Sequence, residues 1–198
     1  MAASVDEFSA PGFAIEAATD PALAPAVADV AAATFPLACP PHSRPEDIAA
    51  FIRENLGPAN FAAYIASSES EVLVARADDG TLAGYALVHH HAPADADVAA
   101  VITERPSSEI SKMYVLPGHH AHIRPSETRT APPSHLLMRA AIDRARQRGS
   151  AVVWLGVNQE NERAQRFYAK MGFHRAGVKT FDLNGRVEHD YVLRQSLT

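Results

Sequence analysis

Few side chains in this 198-residue chain combine a reactive type with a telling position. Tyr168 falls with Ala164, Phe167 and Met171 at i, i+3, i+4, i+7 spacing, the apolar face of a helix. A phenol there packs in a core or handles a proton, and a buried hydroxyl needs a partner in either case. Asn161 stands just ahead of that face, where its side chain can cap the helix. Glu109 opens a strand-like run, a place where an isolated glutamate is ordinarily solvated. Cys39 is the one cysteine, and with no legible base beside it reads as a small packed residue rather than a nucleophile. His89-His90-His91 and His119-His120-x-His122 could suggest a metal, but no Cys pairs or His-Glu-x-x-His accompany them, and they read as strand-end and loop histidines. No Ser-His-Asp arrangement is legible.

The elements that must position these residues follow from periodicity and turn chemistry. Residues 13–17 form a short apolar run, a candidate first strand. Thr19 or Asp20 can cap the next helix, with Pro21 at its first position and Ala22, Val27, Val30, Ala31 and Phe35 on its apolar side. Ser43 ahead of Arg44-Pro45-Glu46 gives a capping-box pattern for a helix through Leu56, and Gly57-Pro58 separates it from another over residues 59–66. Runs 71–76 and 82–89 flank Asp78-Asp79-Gly80, a hairpin signal. Residues 92–106 read as loop and 109–115 as a strand. Leu137, Met138, Ala141, Ile142 and Ala145 mark a helix over 135–148, stopped by Gly149. Residues 152–157 have the continuous apolar character of a buried parallel strand. Two last strands, 174–183 and 186–193, meet at Asn184-Gly185.

This order predicts an α/β (α+β) fold: a mixed, mostly antiparallel sheet of about six to seven strands with helices on both faces. The 109–115 strand, its helix and the 152–157 strand form one βαβ unit, so those two strands are expected to be parallel neighbours.

Trp154-Leu155-Gly156-Val157, Asn161, Ala164, Phe167-Tyr168 and Lys170-Met171-Gly172-Phe173 together resemble the C-terminal signature of the GNAT superfamily of N-acetyltransferases. Glu109-Ile110-Ser111-Lys112-Met113-Tyr114-Val115 with Leu116-Pro117 resembles the superfamily's central strand. Thr34-Phe35, Pro45-Glu46-Asp47-Ile48, and Phe181 followed by Asp190 look like the bacterial spermidine/spermine N-acetyltransferase group. The resemblance runs from about Phe13 to Leu193. It implies that the two parallel strands splay apart and that the pantetheine arm of acetyl-CoA lies between them. Backbone groups of Met113, Tyr114 and Val115 would then pair with pantetheine amides as an added strand would. It implies that Tyr168 protonates the departing thiolate, a transfer from a phenol of pKa ~10 to a thiolate of pKa ~8.5 that is uphill by about 2 kcal/mol. It gives Asn161 a bond to pantetheine beside its capping role. It makes Glu109 the group that draws the proton off the amine, which is protonated near neutrality and cannot otherwise attack a thioester. Glu104, Asp182 and Asp190 are alternatives for holding a cation.

After the central strand the resemblance departs from pattern. The family's pyrophosphate loop reads Arg or Gln, two residues, Gly, one residue, Gly or Ala, then a helix. Small residues there let N–H groups point at phosphate. Here His120 stands for Arg or Gln and Ala121 for the first glycine, and no glycine follows until Gly149. Set against the family's pattern, the 118–134 loop is about eight residues too long, at a place where βα loops are short. Arg124, Arg129, Ser134 and the N–H groups around Ser134 and His135 could bind phosphates instead.

Composition is that of a globular, not a disordered, chain: 47% hydrophobic and 21% charged residues, with a net charge of −5 and no basic block that would point to nucleic acid. A single cysteine allows no internal disulfide and fits a reducing, cytoplasmic setting. No apolar run is long enough to suggest a membrane span, and residues 1–10 lack the basic start of a signal peptide. The expected organisation is a flexible tail over 1–12 and one domain over 13–198. The expected activity is acetyl transfer from acetyl-CoA to a small-molecule primary amine such as a polyamine, with no metal; a homodimer is left open. Two alternatives stand beside it: a catalytically weak ligand-binding module with an impaired coenzyme site, and an acetyltransferase for another amine, such as an antibiotic, an amino acid or a protein N-terminus.

Overall fold

The computed structural model of the chain describes residues 9–10, 12–119 and 131–198. Its frame is an eight-stranded sheet in the order β1-β2-β3-β4-β5-β6-β8-β7. The strands are β1 (Ser9–Ala10), β2 (Phe13–Ala17), β3 (Ser70–Ala77), β4 (Leu82–His89), β5 (Ser107–Val115), β6 (Val152–Asn158), β7 (His174–Leu183) and β8 (Arg186–Ser196). The expected parallel neighbours are β5 and β6; every other pairing is antiparallel. Ser9 and Ala10, expected in the flexible tail, pair with Ala14 and Phe13 instead.

Among the described residues six α-helices cover the two faces: α1 (Ala24–Thr34), α2 (Pro45–Asn55), α3 (Pro58–Ala66), α4 (Ala96–Val101), α5 (Pro133–Gln147) and α6 (Glu162–Lys170). On one face α5 presents Leu137, Met138, Ala141 and Ala145, all fully buried, to Ile110, Val153 and Leu155. Ala164, Phe167, Tyr168 and Met171 of α6 pack against the same core. On the other face Val27 and Ala31 of α1 and Phe61 of α3 close over Val72, Val74, Tyr85 and Leu87. Among the described residues no helix is long and apolar enough to cross a membrane.

Three local expectations are corrected. Residues 92–106 contain α4: Asp95 caps it by accepting from the Val98 N–H, and Val98 and Ile102 are buried on Trp154 and Val192. Six residues, one of them acidic, are too short to show a helical period, so tertiary burial makes this helix. At α2 the capping residue is Arg44, not Ser43, and it contributes no side-chain cap; its guanidinium instead grips the buried Asp47 carboxylate at 2.7 and 2.8 Å. At the first helix Asp20 caps a 3-10 turn over Pro21–Leu23, which leaves Ala22 exposed before α1 begins. The last hairpin turns where the sequence placed it, with Asn184 at φ 52° and Gly185 at φ 82°, the left-handed pair that such a turn requires.

In the β4–β5 ladder Leu87 faces Lys112 while Val88 faces Ile110, so Ser111 is an extra, bulged residue. The bulge shifts the alternation by one. Glu109, Lys112 and Tyr114 thereby share the face covered by α1 to α3, while Ile110, Met113 and Val115 share the other.

Candidate active site

β5 and β6 are hydrogen-bonded only at their starts, where Ser107, Ser108 and Glu109 face Val152, Val153 and Trp154. Beyond that they part. β5 stays paired to β4 through Val115, and β6 stays paired to β8 through Asn158. The edges of residues 110–115 and 155–158 therefore face each other with no ladder between them. The Leu116 N–H donates to the Ala83 carbonyl of β4 at 2.8 Å. By strand alternation the Tyr114 and Lys112 N–H groups also point to β4, and those of Met113 and Val115 point into the gap. Of the three residues expected to offer backbone here, Met113 and Val115 offer N–H donors. Tyr114 lends its ring to the cavity wall.

The gap opens into a cavity of about 710 Å³ lined from both sides of the sheet. From the α5/α6 face comes Tyr168, half-buried beside Phe167 and Phe173. Its hydroxyl makes no hydrogen bond to any described residue, and burial, helped by the Asp190 charge, pushes its pKa up to about 12. It is a protonated phenol at any ordinary pH. From the opposite face come Glu109, Lys112, Lys179 and Asp190. Burial raises the carboxyl pKa of Glu109 and of Asp190 and lowers the ammonium pKa of Lys112. For both carboxylates the leading counter-charge is Lys179, which stands between them. The splay is thus a window through the sheet, with the Tyr168 phenol on one side and the carboxylates on the other.

Asn161 caps α6, its Oδ1 accepting from the Ala164 N–H at 3.0 Å, and its amide NH₂ remains for the cavity it lines. Ser134 lines the cavity; His135 does not, because its ring stands edge-on to Phe167 at 5.1 Å, away from the gap. The start of α5 offers less to an anion than the sequence suggests. Pro132 and Pro133 have no N–H, and the His135 and Leu136 N–H groups both donate to the Pro132 carbonyl, at 2.9 and 3.1 Å. Among residues 132–136 the Ser134 N–H is the one left over. His120, Ala121, Arg124 and Arg129 lie outside the described residues.

Of the other acidic candidates, Glu104 is ion-paired with Arg194 and Asp182 accepts from the Gly185 N–H of the hairpin turn, so neither lines this cavity. Cys39 does line it, but burial, with Glu188 nearby, pushes its thiol up to about 11, and no thiolate forms there near neutrality. His89 bonds Ser70 at 2.9 Å and His90 bonds Ser108 at 2.8 Å, so both serve the strand ends. Lys112 and Lys179 were missed as site residues. Plain alternation sends Lys112 to the face opposite Glu109, and only the bulge brings it back. Lys179 sits on a hairpin strand that reads as solvent-exposed.

The Acetyltransferase (GNAT) family model matches residues 135–173, the segment from α5 to Phe173. An uncharacterized N-acetyltransferase of Mycobacterium tuberculosis is 43% identical over 171 residues, 86% of this chain and 96% of that protein. Among solved structures, the PaiA N-acetyltransferase of Thermoplasma acidophilum in complex with coenzyme A superposes with a TM-score of 0.65 at 20% identity, covering 92% of this chain and 99% of that one. The spermidine/spermine N-acetyltransferase of Vibrio cholerae superposes at 0.57 with 14% identity, covering 93% of this chain and 92% of that one, a likeness of fold that does not single out the polyamine group. With its extended relative and its splayed central pair, the chain belongs to the GNAT family of acetyltransferases.

Proposed function

We propose that the chain transfers the acetyl group of acetyl-CoA to the primary amine of a small molecule, in the window between β5 and β6. The observation that carries this is the parting of the two strands after Glu109 and Trp154, with the Tyr168 hydroxyl at the opening. The fit to the coenzyme is physical. The gap is an unladdered slot with Met113 and Val115 N–H groups turned into it, suited to the two amides of a pantetheine arm. Ser134 and Asn161 stand at the same side of the cavity as further polar contacts.

Residue by residue, Glu109 takes the proton from the acceptor ammonium. The nitrogen lone pair then forms the new C–N bond, and the Met113 N–H holds the oxyanion. As the C–S bond breaks its electrons leave on sulfur, Tyr168 supplies the proton that sulfur takes, and the second proton shed by the new amide nitrogen returns the phenolate to a phenol. With the phenol at about 12 and a free thiol at ~8.5 that last transfer is uphill by about 5 kcal/mol. Burial in the same cavity raises the thiol as well, because it penalises every anion there, so the working gap is smaller. Calorimetry with acetyl-CoA, followed by mass detection of acetylated product, tests the proposal; absence of binding removes it.

The weaker binding-module reading draws on one specific feature, the α5 start with a single unclaimed N–H. It predicts acetyl-CoA binding too weak to saturate at millimolar concentration. The same titration separates the two.

A further inference from the structure

Lys112 and Lys179 both line the cavity on the acceptor side of the window, and neither ammonium has a carboxylate within 4 Å among the described residues. Lys112 Nζ meets only the Ser111 hydroxyl, at 3.4 Å, and Lys179 Nζ lies 5.8 Å from the Trp154 ring centre. Two special features of the strands hold them there. The bulge at Ser111 turns Lys112 onto the face of Glu109. The missing side chain at Gly156 leaves the floor on which the Lys179 stem lies. Half-buried ammonium groups without a bonded counter-ion gain from an anion that enters beside them, Lys112 most of all, since its surroundings disfavour its charge. A polyamine brings only more positive charge to these two lysines.

We propose that the acceptor is an amine that also carries a carboxylate a few bonds away, as in an amino acid, with Lys112 and Lys179 gripping the carboxylate while Glu109 faces the amine. This deepens the transfer reading and rests on it. The acids and lysines are interspersed on one face, Glu109 and Lys112 on β5 and Lys179 paired across to Asp190 on β7 and β8, while Glu188, two residues before Asp190, is tied to His42 at 3.2 Å. Such a surface matches a zwitterion rather than a chain of ammonium groups. Glu109 and both lysines line the same cavity, and Lys179 and Lys112 are the leading charges that Glu109 senses, so the amine and carboxylate of the ligand are held close together.

The test uses the full chain with the twenty common L-amino acids, each compared where it exists with its decarboxylated amine: phenylalanine with phenethylamine, leucine with 3-methylbutylamine, lysine with cadaverine. Product is followed by mass, and binding of the same compounds by calorimetry. In the expected result at least one amino acid exceeds its matched amine at least tenfold in kcat/KM. Lys179→Met, checked for folding by its melting curve, then brings that ratio close to one. Amines equal to or better than every amino acid overturn the inference and leave the transfer reading intact. So does a preference that survives in both Lys179→Met and Lys112→Met. If no acceptor turns over, or acetyl-CoA itself fails to bind and the transfer reading falls, the calorimetry still decides. Amino-acid binding that Lys179→Met weakens about tenfold upholds the carboxylate site, and no binding by any amino acid removes it.

Discussion

The Lys179 side chain reaches over Gly156: a Cβ built on that glycine would stand 2.6 Å from the lysine Cε, 3.2 Å from its Nζ and 3.1 Å from Asp190 Oδ2. The backbone of β6 has no other reason to exclude a side chain here, since its φ is not in the left-handed region. Gly156→Ala therefore tests the site with little effect on the fold. The lysine is the far end of a flexible side chain and can swing away, so the melting temperature should move by no more than about 2 °C. The displaced ammonium should raise the acceptor KM by about tenfold, with acetyl-CoA affinity nearly unchanged. A variant with wild-type acceptor kinetics would separate Lys179 from acceptor binding.

Tyr168→Phe tests the proposed proton donor. The hydroxyl bonds nothing among the described residues, so its removal costs the fold nothing through lost hydrogen bonds, and Phe keeps the contacts to Phe167 and Phe173. Loss of a general acid predicts a fall in kcat of about 10²–10⁴-fold with acetyl-CoA affinity held within about threefold. Near-wild-type turnover would assign the ring to packing.

The two carboxylates differ in what they sense, and pH profiles distinguish them. Glu109 responds to Lys179, Lys112 and His91, Asp190 to Lys179, Glu188 and His189, and Tyr168 responds to Asp190. A base must be ionised. Burial raises the Glu109 carboxyl, so activity should fall as pH drops through a value above the ordinary carboxylate pKa of ~4.3. Glu109→Gln should abolish that limb and recover partly at high pH, where more acceptor amine is already neutral. Asp190→Asn should keep the limb and lower the Tyr168 pKa, because it removes the charge that adds to burial in raising it. If Asp190→Asn removes the acid limb instead, Asp190 is the base.

Stability on the acid side rests on a different carboxylate. Glu71 on β3 meets His90 at 3.5 Å, Arg148 at 2.9 and 3.0 Å and Arg144 at 3.4 Å, which ties the C-terminal end of α5 to the sheet. His90, then Arg148 and Arg144, outweigh burial and hold its pKa down to about 2. The folded value lies below the unfolded value of ~4.3, so the contribution is complete above about pH 4.5 and is lost as pH falls toward 2. The His90 contact is long for a hydrogen bond, which makes about 3 kcal/mol an upper bound. Glu71→Gln should lower the melting temperature at pH 7 and flatten its decline between pH 5 and 2; an unchanged decline would assign acid sensitivity to other groups.

The sheet, the parallel pair and the Tyr168 helix were legible because each follows from a local pattern: an apolar run at 152–157, a 3.6-residue period at 164–171, a turn dipeptide at 184–185. The charges of the acceptor side were not. Glu109-Ile110-Ser111-Lys112 carries no signal that Ser111 bulges, and without the bulge Lys112 is on the wrong face. Lys179 and Asp190 meet across a strand pair whose register only the folded hairpin fixes. α4 was hidden for a related reason, since Val98 and Ile102 become a core only when Trp154 arrives from 50 residues later.

The start of α5 supplies the last prediction, in which affinity and stability move in opposite directions. Pro133 occupies the first helical position, where it pre-sets the backbone but withholds an N–H that would point out of the helix end. Pro133→Ala adds that donor beside Ser134, at the positive end of the helix macrodipole. If the pyrophosphate of acetyl-CoA sits at this terminus, binding should tighten by about three- to tenfold, as one added hydrogen bond to a charged group allows. The gain should be larger at low salt than at high salt. The fold should be weakened by about 0.5–1 kcal/mol, because the freer residue loses more entropy on folding and the buried ring is gone. Ser134→Ala, which keeps its N–H but loses the hydroxyl, should weaken binding only a few-fold. Pro133→Ala with unchanged affinity at every salt concentration would place the pyrophosphate away from the helix terminus, and the phosphate contacts would then have to come from residues 120–130.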